Sequence, residues 1–70
     1  MNENLIALGV GYSFIIVDVR DVTHISLKNT NSKVSVDGRE YVLYKATTFE
    51  ESQKVDDLID SGNYTEYSRN

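Results

Sequence analysis

The side chains best suited to chemistry in this chain are four carboxylates close together in sequence, Glu50, Asp56, Asp57 and Asp60. The chemistry open to them is electrostatic, negative charge that a basic surface would attract. Bond-making has little support. His24 is the only histidine and cysteine is absent, so a nucleophile–base–orienter set has no sequence signature. The same shortage argues against a structural zinc site. Gly9 and Gly11 open like a dinucleotide fingerprint, but the third glycine is missing and Tyr12–Val17 reads as strand rather than helix. Asp18, Asp21 and Asp37 lack the dense alternating oxygens of a calcium loop. Asn63 and Thr65 match a glycosylation acceptor, and the match is expected to be idle because a secretory signal is not expected. The expectation is a non-enzymatic protein with no metal and no cofactor.

The carboxylates belong to a helix expected over residues 48–61. Thr48 is its N-cap and Glu51 stands three positions on, the capping-box spacing. At 3.6 residues per turn, Val55, Leu58 and Ile59 gather on one side, while Glu50, Asp56, Asp57 and Asp60 face away, flanked by Gln53 and Lys54. Ser61, Gly62 and Asn63 supply the C-cap. Acid near a helix C-terminus opposes the macrodipole by roughly 0.3–1 kcal/mol per residue. Lys54 is expected to offset part of this through Glu50 or Asp57. A helix arranged for stability alone would carry lysine at some of those positions.

A sheet must carry that helix. Asp37-Gly38 is the strongest local signal, because a type I′ turn needs positive φ at both central residues. A two-residue loop there pairs Val36 with Arg39 and Val34 with Tyr41, and puts Tyr41 and Leu43 on one face with Val34 and Val36. Residues 13–19 read as a strand, ending in a bend at Arg20-Asp21. Thr23–Lys28 alternates as a second strand, with His24 and Ser26 on its polar face. Residues 28–33 are rich in turn formers and read as a loop. Residues 5–10 fit either a first strand or a short helix. The expected fold is α+β: a small antiparallel β-meander of four or five strands with one C-terminal amphipathic helix. The tail, residues 62–70, has no apolar stripe and is expected to fray or to lie along the sheet. Of the tyrosines, Tyr41 is expected in the core, and Tyr44, Tyr64 and Tyr67 at the surface, where a tyrosine can serve an interface.

Seventy residues with no low-complexity tract fit one domain. A chain of this size buries only about 60% of its unfolded surface, so partner contact or self-association is a natural source of further burial. The formal charge of −4, from eleven acidic and seven basic side chains, disfavours direct binding to nucleic acid, which needs cations on phosphates. It favours basic partners or plain solubility. The apolar run from Leu5 to Val17 is short for a membrane span and holds Gly9, Gly11 and Ser13, and its flank lacks the positive charge of a secretory signal. A cytoplasmic protein with no membrane partner is expected.

The order of Asp21–Ile25, a polar stretch, Val34–Leu43 and a following helix resembles the sheet-plus-helix modules of LytTR-type DNA-binding domains and of FlbD-type flagellar proteins. The resemblance covers a little over half the chain and implies fold only, since basic DNA-contacting side chains are not evident in the loops. In size, acidity and lack of cysteine, the chain is also similar to small bacteriophage host-takeover proteins, some of which are DNA mimics. That resemblance implies a basic, nucleic-acid-binding protein as partner, met by Glu50, Asp56, Asp57 and Asp60. From the residues themselves, an exposed tyrosine, Tyr64 or Tyr67, is expected to supply the anchor. The alternative is a structural or regulatory module that self-associates as a homodimer through a strand edge such as residues 13–19, its acidic helix merely solvated.

Overall fold

The computed structural model describes residues 4–62 and 64–68. Its elements are β1 (Leu5–Val10), β2 (Ser13–Asp18), a 3-10 turn (Val19–Val22), β3 (Leu27–Val36), β4 (Arg39–Ala46), α1 (Phe49–Ser61) and β5 (Tyr67–Ser68). The strands form one five-stranded sheet in the order β3-β4-β1-β2-β5. Neighbours are antiparallel except β1 and β4, which run parallel and meet at Ala7↔Leu43 and Leu8↔Tyr44. The fold is α+β, as expected. The path is two hairpins, β1–β2 and β3–β4, joined by one crossover.

The β3–β4 hairpin has the register that its turn dictates. Val36 faces Arg39 and Val34 faces Tyr41. Asp37 and Gly38 take φ of 54° and 83°, the left-handed region that a two-residue I′ turn demands. Residues 5–10 are strand, paired along their whole length with β2.

The crossover and the strand after it differ from the sequence expectation. Thr23 and His24 lie in a turn rather than a strand, and residues 28–33 lie inside β3 rather than in a loop. For residues 28–33 the cause is a β-bulge between Asn29 and Ser32. The Asn31 N–H donates to Asn29 Oδ1 (2.7 Å), the Ser32 N–H to Thr30 Oγ1 (3.3 Å), and Thr30 Oγ1 to the Leu43 carbonyl (2.7 Å). Turn-forming side chains thus satisfy the backbone of an irregular strand, and Asn31 takes φ 64° within it.

Alternation along the strands gives the sheet two apolar faces. On one, Leu8, Ile15 and Val17 join Val22 and Ile25 from the crossover and Val55 from α1, all buried. On the other, Ala7, Phe14 and Leu43 are buried beneath Ile16, Val34, Val36, Tyr41 and Tyr67. Among the described residues, no helix covers this second face. Phe14 stacks on Tyr67 with ring centroids 5.4 Å apart. An open cleft of about 570 Å³ runs between β3 residues 33–36 and Phe14, Tyr67 and Ser68. The sheet therefore curls until its two outer strands, β3 and β5, flank one groove.

Among the described residues, no helix is long and apolar enough to cross a membrane.

Candidate functional site

Helix α1 is fixed at both ends and along its inner stripe. The Thr48 hydroxyl accepts from the Glu51 N–H (3.2 Å), the expected cap. In place of the reciprocal half of a capping box, Glu51 makes a longer-range bond. Its Oε1 accepts from the Ser26 N–H (2.8 Å), just ahead of β3, and its Oε2 accepts from Lys54 Nζ (3.1 Å). Those two contacts, the backbone N–H first, hold the Glu51 carboxyl below the usual glutamate range. Lys54 also reaches the His24 carbonyl (3.4 Å), so it ties the helix to the crossover rather than serving Glu50 or Asp57. At the far end, the Gly62 N–H donates to the Leu58 carbonyl (3.0 Å). A Cβ on Gly62 would stand 2.5 Å from the Tyr64 ring, so the glycine lets that ring fold over the helix end. Asn63, the third expected C-cap residue, lies outside the described residues.

With Val55 buried and Leu58 and Ile59 half-buried against the sheet, the opposite side of α1 faces solvent. Glu50, Asp56, Asp57 and Asp60 are all exposed there, and among the described residues no ion pair engages any of them. The last turn carries no basic residue. Acidic groups with structural work behave differently. Asp18 caps the 3-10 turn through the Arg20 N–H (2.9 Å) and holds the Arg20 guanidinium (Nη2 to Oδ2, 2.9 Å). The guanidinium first, and then the N–H, lower the Asp18 pKa, and the carboxylate in turn raises that of Arg20.

The tyrosines are placed otherwise than expected. Tyr44, Tyr64 and Tyr67 are half-buried rather than exposed. Tyr64 packs on the helix-side core at the end of α1, whereas Tyr67 lies on Phe14 at the other face of the sheet. The fold brings Tyr64 to the helix that carries the carboxylates and keeps Tyr67 apart from it. Tyr12, at the β1–β2 turn, and Phe49, at the start of α1, are the widely exposed aromatics, at 86% and 77%.

His24 is exposed. It lines an open hollow of about 330 Å³ with Lys54, Asp57, Leu58 and Ser61. Ser61 Oγ there donates to the Leu58 carbonyl (3.2 Å) rather than to a base. Among the described residues no hydrogen bond joins the histidine ring to Asp57 or Ser61.

The edge of residues 13–19, expected as a self-association site, is partly taken. Ser13 pairs with Ser68 and Phe14 with Tyr67, and Val19 belongs to the 3-10 turn. The long open edge among the described residues is that of β3. A charge division accompanies it and is readable in the sequence. The segment 27–46 holds four basic side chains, Lys28, Lys33, Arg39 and Lys45, against two acidic ones, Asp37 and Glu40. The remainder of the chain holds three basic against nine acidic.

No protein-family model matches the chain, and neither the curated proteins nor the solved structures yield a match.

Proposed function

We propose that this chain is a non-enzymatic protein-binding domain that docks the outward face of α1 on a basic protein and inhibits it. A nucleic-acid-binding protein fits best as partner, because its phosphate-binding surface is already built for a row of negative charges. The observation that carries this reading is the separation of the carboxylates into two groups. Asp18 and Glu51 are tied into the fold by Arg20, Ser26 and Lys54, while Glu50, Asp56, Asp57 and Asp60 are exposed and outside every ion pair of the described residues. Three of those four lie near the helix end where negative charge is least welcome. Glu50 and Asp57 stand about 10 Å apart along the axis at 1.5 Å per residue, within the range of spacings between DNA phosphates. Charge of this kind sets encounter rate and partner choice, and a desolvated aromatic holds affinity. Tyr64, at the end of the same helix, is suited to the second task.

The test is capture from a bacterial lysate with the wild-type chain and, beside it, the variant Asp56→Lys, Asp57→Lys, Asp60→Lys. Wild type alone is expected to retain a basic protein, and added duplex DNA is expected to displace the chain from it. Retention of the same protein by both chains places the interface elsewhere and refutes the reading.

A further inference from the structure

We infer that the outer edge of β3 over Lys33–Val36 is a strand-accepting site for an extended segment that alternates acidic and apolar residues. This surface is separate from the acidic face of α1. Among the described residues, β3 has a strand neighbour on one side only, β4. In a hairpin closed by a two-residue turn, the flanking pair Val36↔Arg39 exchanges both hydrogen bonds, as does Val34↔Tyr41. The N–H and C=O groups of Lys33 and Ser35 therefore point outward, away from β4. Toward the start of the strand the bulge uses its own side chains to satisfy the amides of Asn31 and Ser32. The usable edge is thus residues 33–36, about 13 Å of extended chain at 3.3 Å per residue.

The ground beside that edge dictates the occupant. The 570 Å³ cleft places Phe14 and Tyr67 across from Val34 and Val36, so an added strand lays alternate side chains on an apolar wall. Its other side chains stand on the side of Lys33, which is exposed and, among the described residues, enters no ion pair and is the one cation lining the cleft, with Asp37 beyond it at the turn and Glu40 across the ladder from Ser35. Edge lysines commonly prevent strand edges from pairing with one another. Here they would oppose a second copy of β3, which brings Lys28 and Lys33 of its own, and would favour a strand bearing carboxylates. One device thus rejects self-pairing and selects an acidic partner.

The probe is a blocked pentapeptide, Glu-Val-Glu-Val-Glu, titrated into the 15N-labelled full chain, with Lys-Val-Lys-Val-Lys as comparison. The glutamate peptide is expected to shift the amides of residues 33–37 and of Tyr67 and Ser68, and to slow hydrogen exchange at Lys33 and Ser35. The lysine peptide is expected to do neither. Lys33→Glu should weaken the glutamate peptide by about tenfold or more. Ser35→Pro removes an outward N–H without breaking the β3–β4 ladder, and should abolish binding in a folded chain. If the proline variant does not fold, Lys33→Glu decides alone. Equal response to both peptides, shifts confined to α1, or unchanged affinity in Lys33→Glu overturns the inference. Shifts of the β3 amides that grow with protein concentration in the absence of peptide also overturn it, and assign the edge to a second copy.

Discussion

Glu51 joins three parts of the molecule: the first turn of α1, the backbone ahead of β3 at Ser26, and Lys54 one turn on. Because folding lowers its pKa, Glu51 contributes stability that is fully present above the unfolded value near 4.5 and is lost as pH falls through the lower folded value. Asp18 acts in the same sense through Arg20. Urea midpoints measured from about pH 7 down to about pH 2 should therefore separate wild type from Glu51→Gln above about pH 4.5, and the two curves should converge in stronger acid. Curves that stay parallel throughout would mean that the carboxylate is energetically idle. Thr48→Ala removes the hydroxyl acceptor at the helix start and should cost about 1 kcal/mol, or about 4–8 °C in Tm by calorimetry. The Thr48 cap is written in a local spacing and can be read from it. The destination of the Glu51 side chain is not, because Ser26 is 25 positions away and the register of α1 on the sheet decides the contact.

At the scale of elements, α1 is held to the sheet through a narrow stripe centred on Val55, the helix's one fully buried side chain. Val55→Ala deletes two methyl groups and leaves a gap between helix and strands, a loss of about 2 kcal/mol or more. A domain of this length at about 0.05–0.15 kcal/mol per residue has roughly 4–10 kcal/mol in all. Chemical denaturation should therefore show a clear fall in midpoint with α1 still helical by circular dichroism. An unchanged midpoint would show that the helix is held by its ends alone. The hairpin at Asp37-Gly38, the helix and the α+β class were legible, since turn chemistry and 3.6-residue periodicity act locally. The crossover was not. Residues 28–33 carry turn formers because a bulge in a strand uses the same side-chain hydrogen bonds as a loop, and composition does not separate the two. The alternation over residues 23–28 has a different origin from that of a strand. Ile25 is apolar because a bend buries it in the helix-side core, and Leu27 because β3 starts there.

Across the whole molecule, charge is divided between two surfaces. The four free-standing carboxylates lie on α1, on one side of the sheet, and the hairpin with excess positive charge contributes the open edge. The acidic face was visible as helical periodicity. The basic hairpin is equally visible in composition, but its meaning depends on β3 being an outer strand, which only the strand order reveals. Tyr67 illustrates the same dependence. Sequence position groups it with Tyr64, yet the pairing of β5 with β2 sets it on Phe14, on the face of the sheet away from the core that holds Val55.

Docking on a basic partner depends, at this same scale, on the free carboxylates of α1, and the salt dependence of the affinity tests that dependence most directly. The dissociation constant of the captured partner would be measured from roughly 50 mM to roughly 500 mM salt, a range over which screening shortens severalfold. For wild type, the constant should rise by about tenfold or more across the range, while the Asp56→Lys, Asp57→Lys, Asp60→Lys variant should bind too weakly to measure at any salt concentration. A wild-type affinity that does not move with salt, or a variant that binds as wild type does, would contradict the claim and leave the acidic face of α1 as solvated surface.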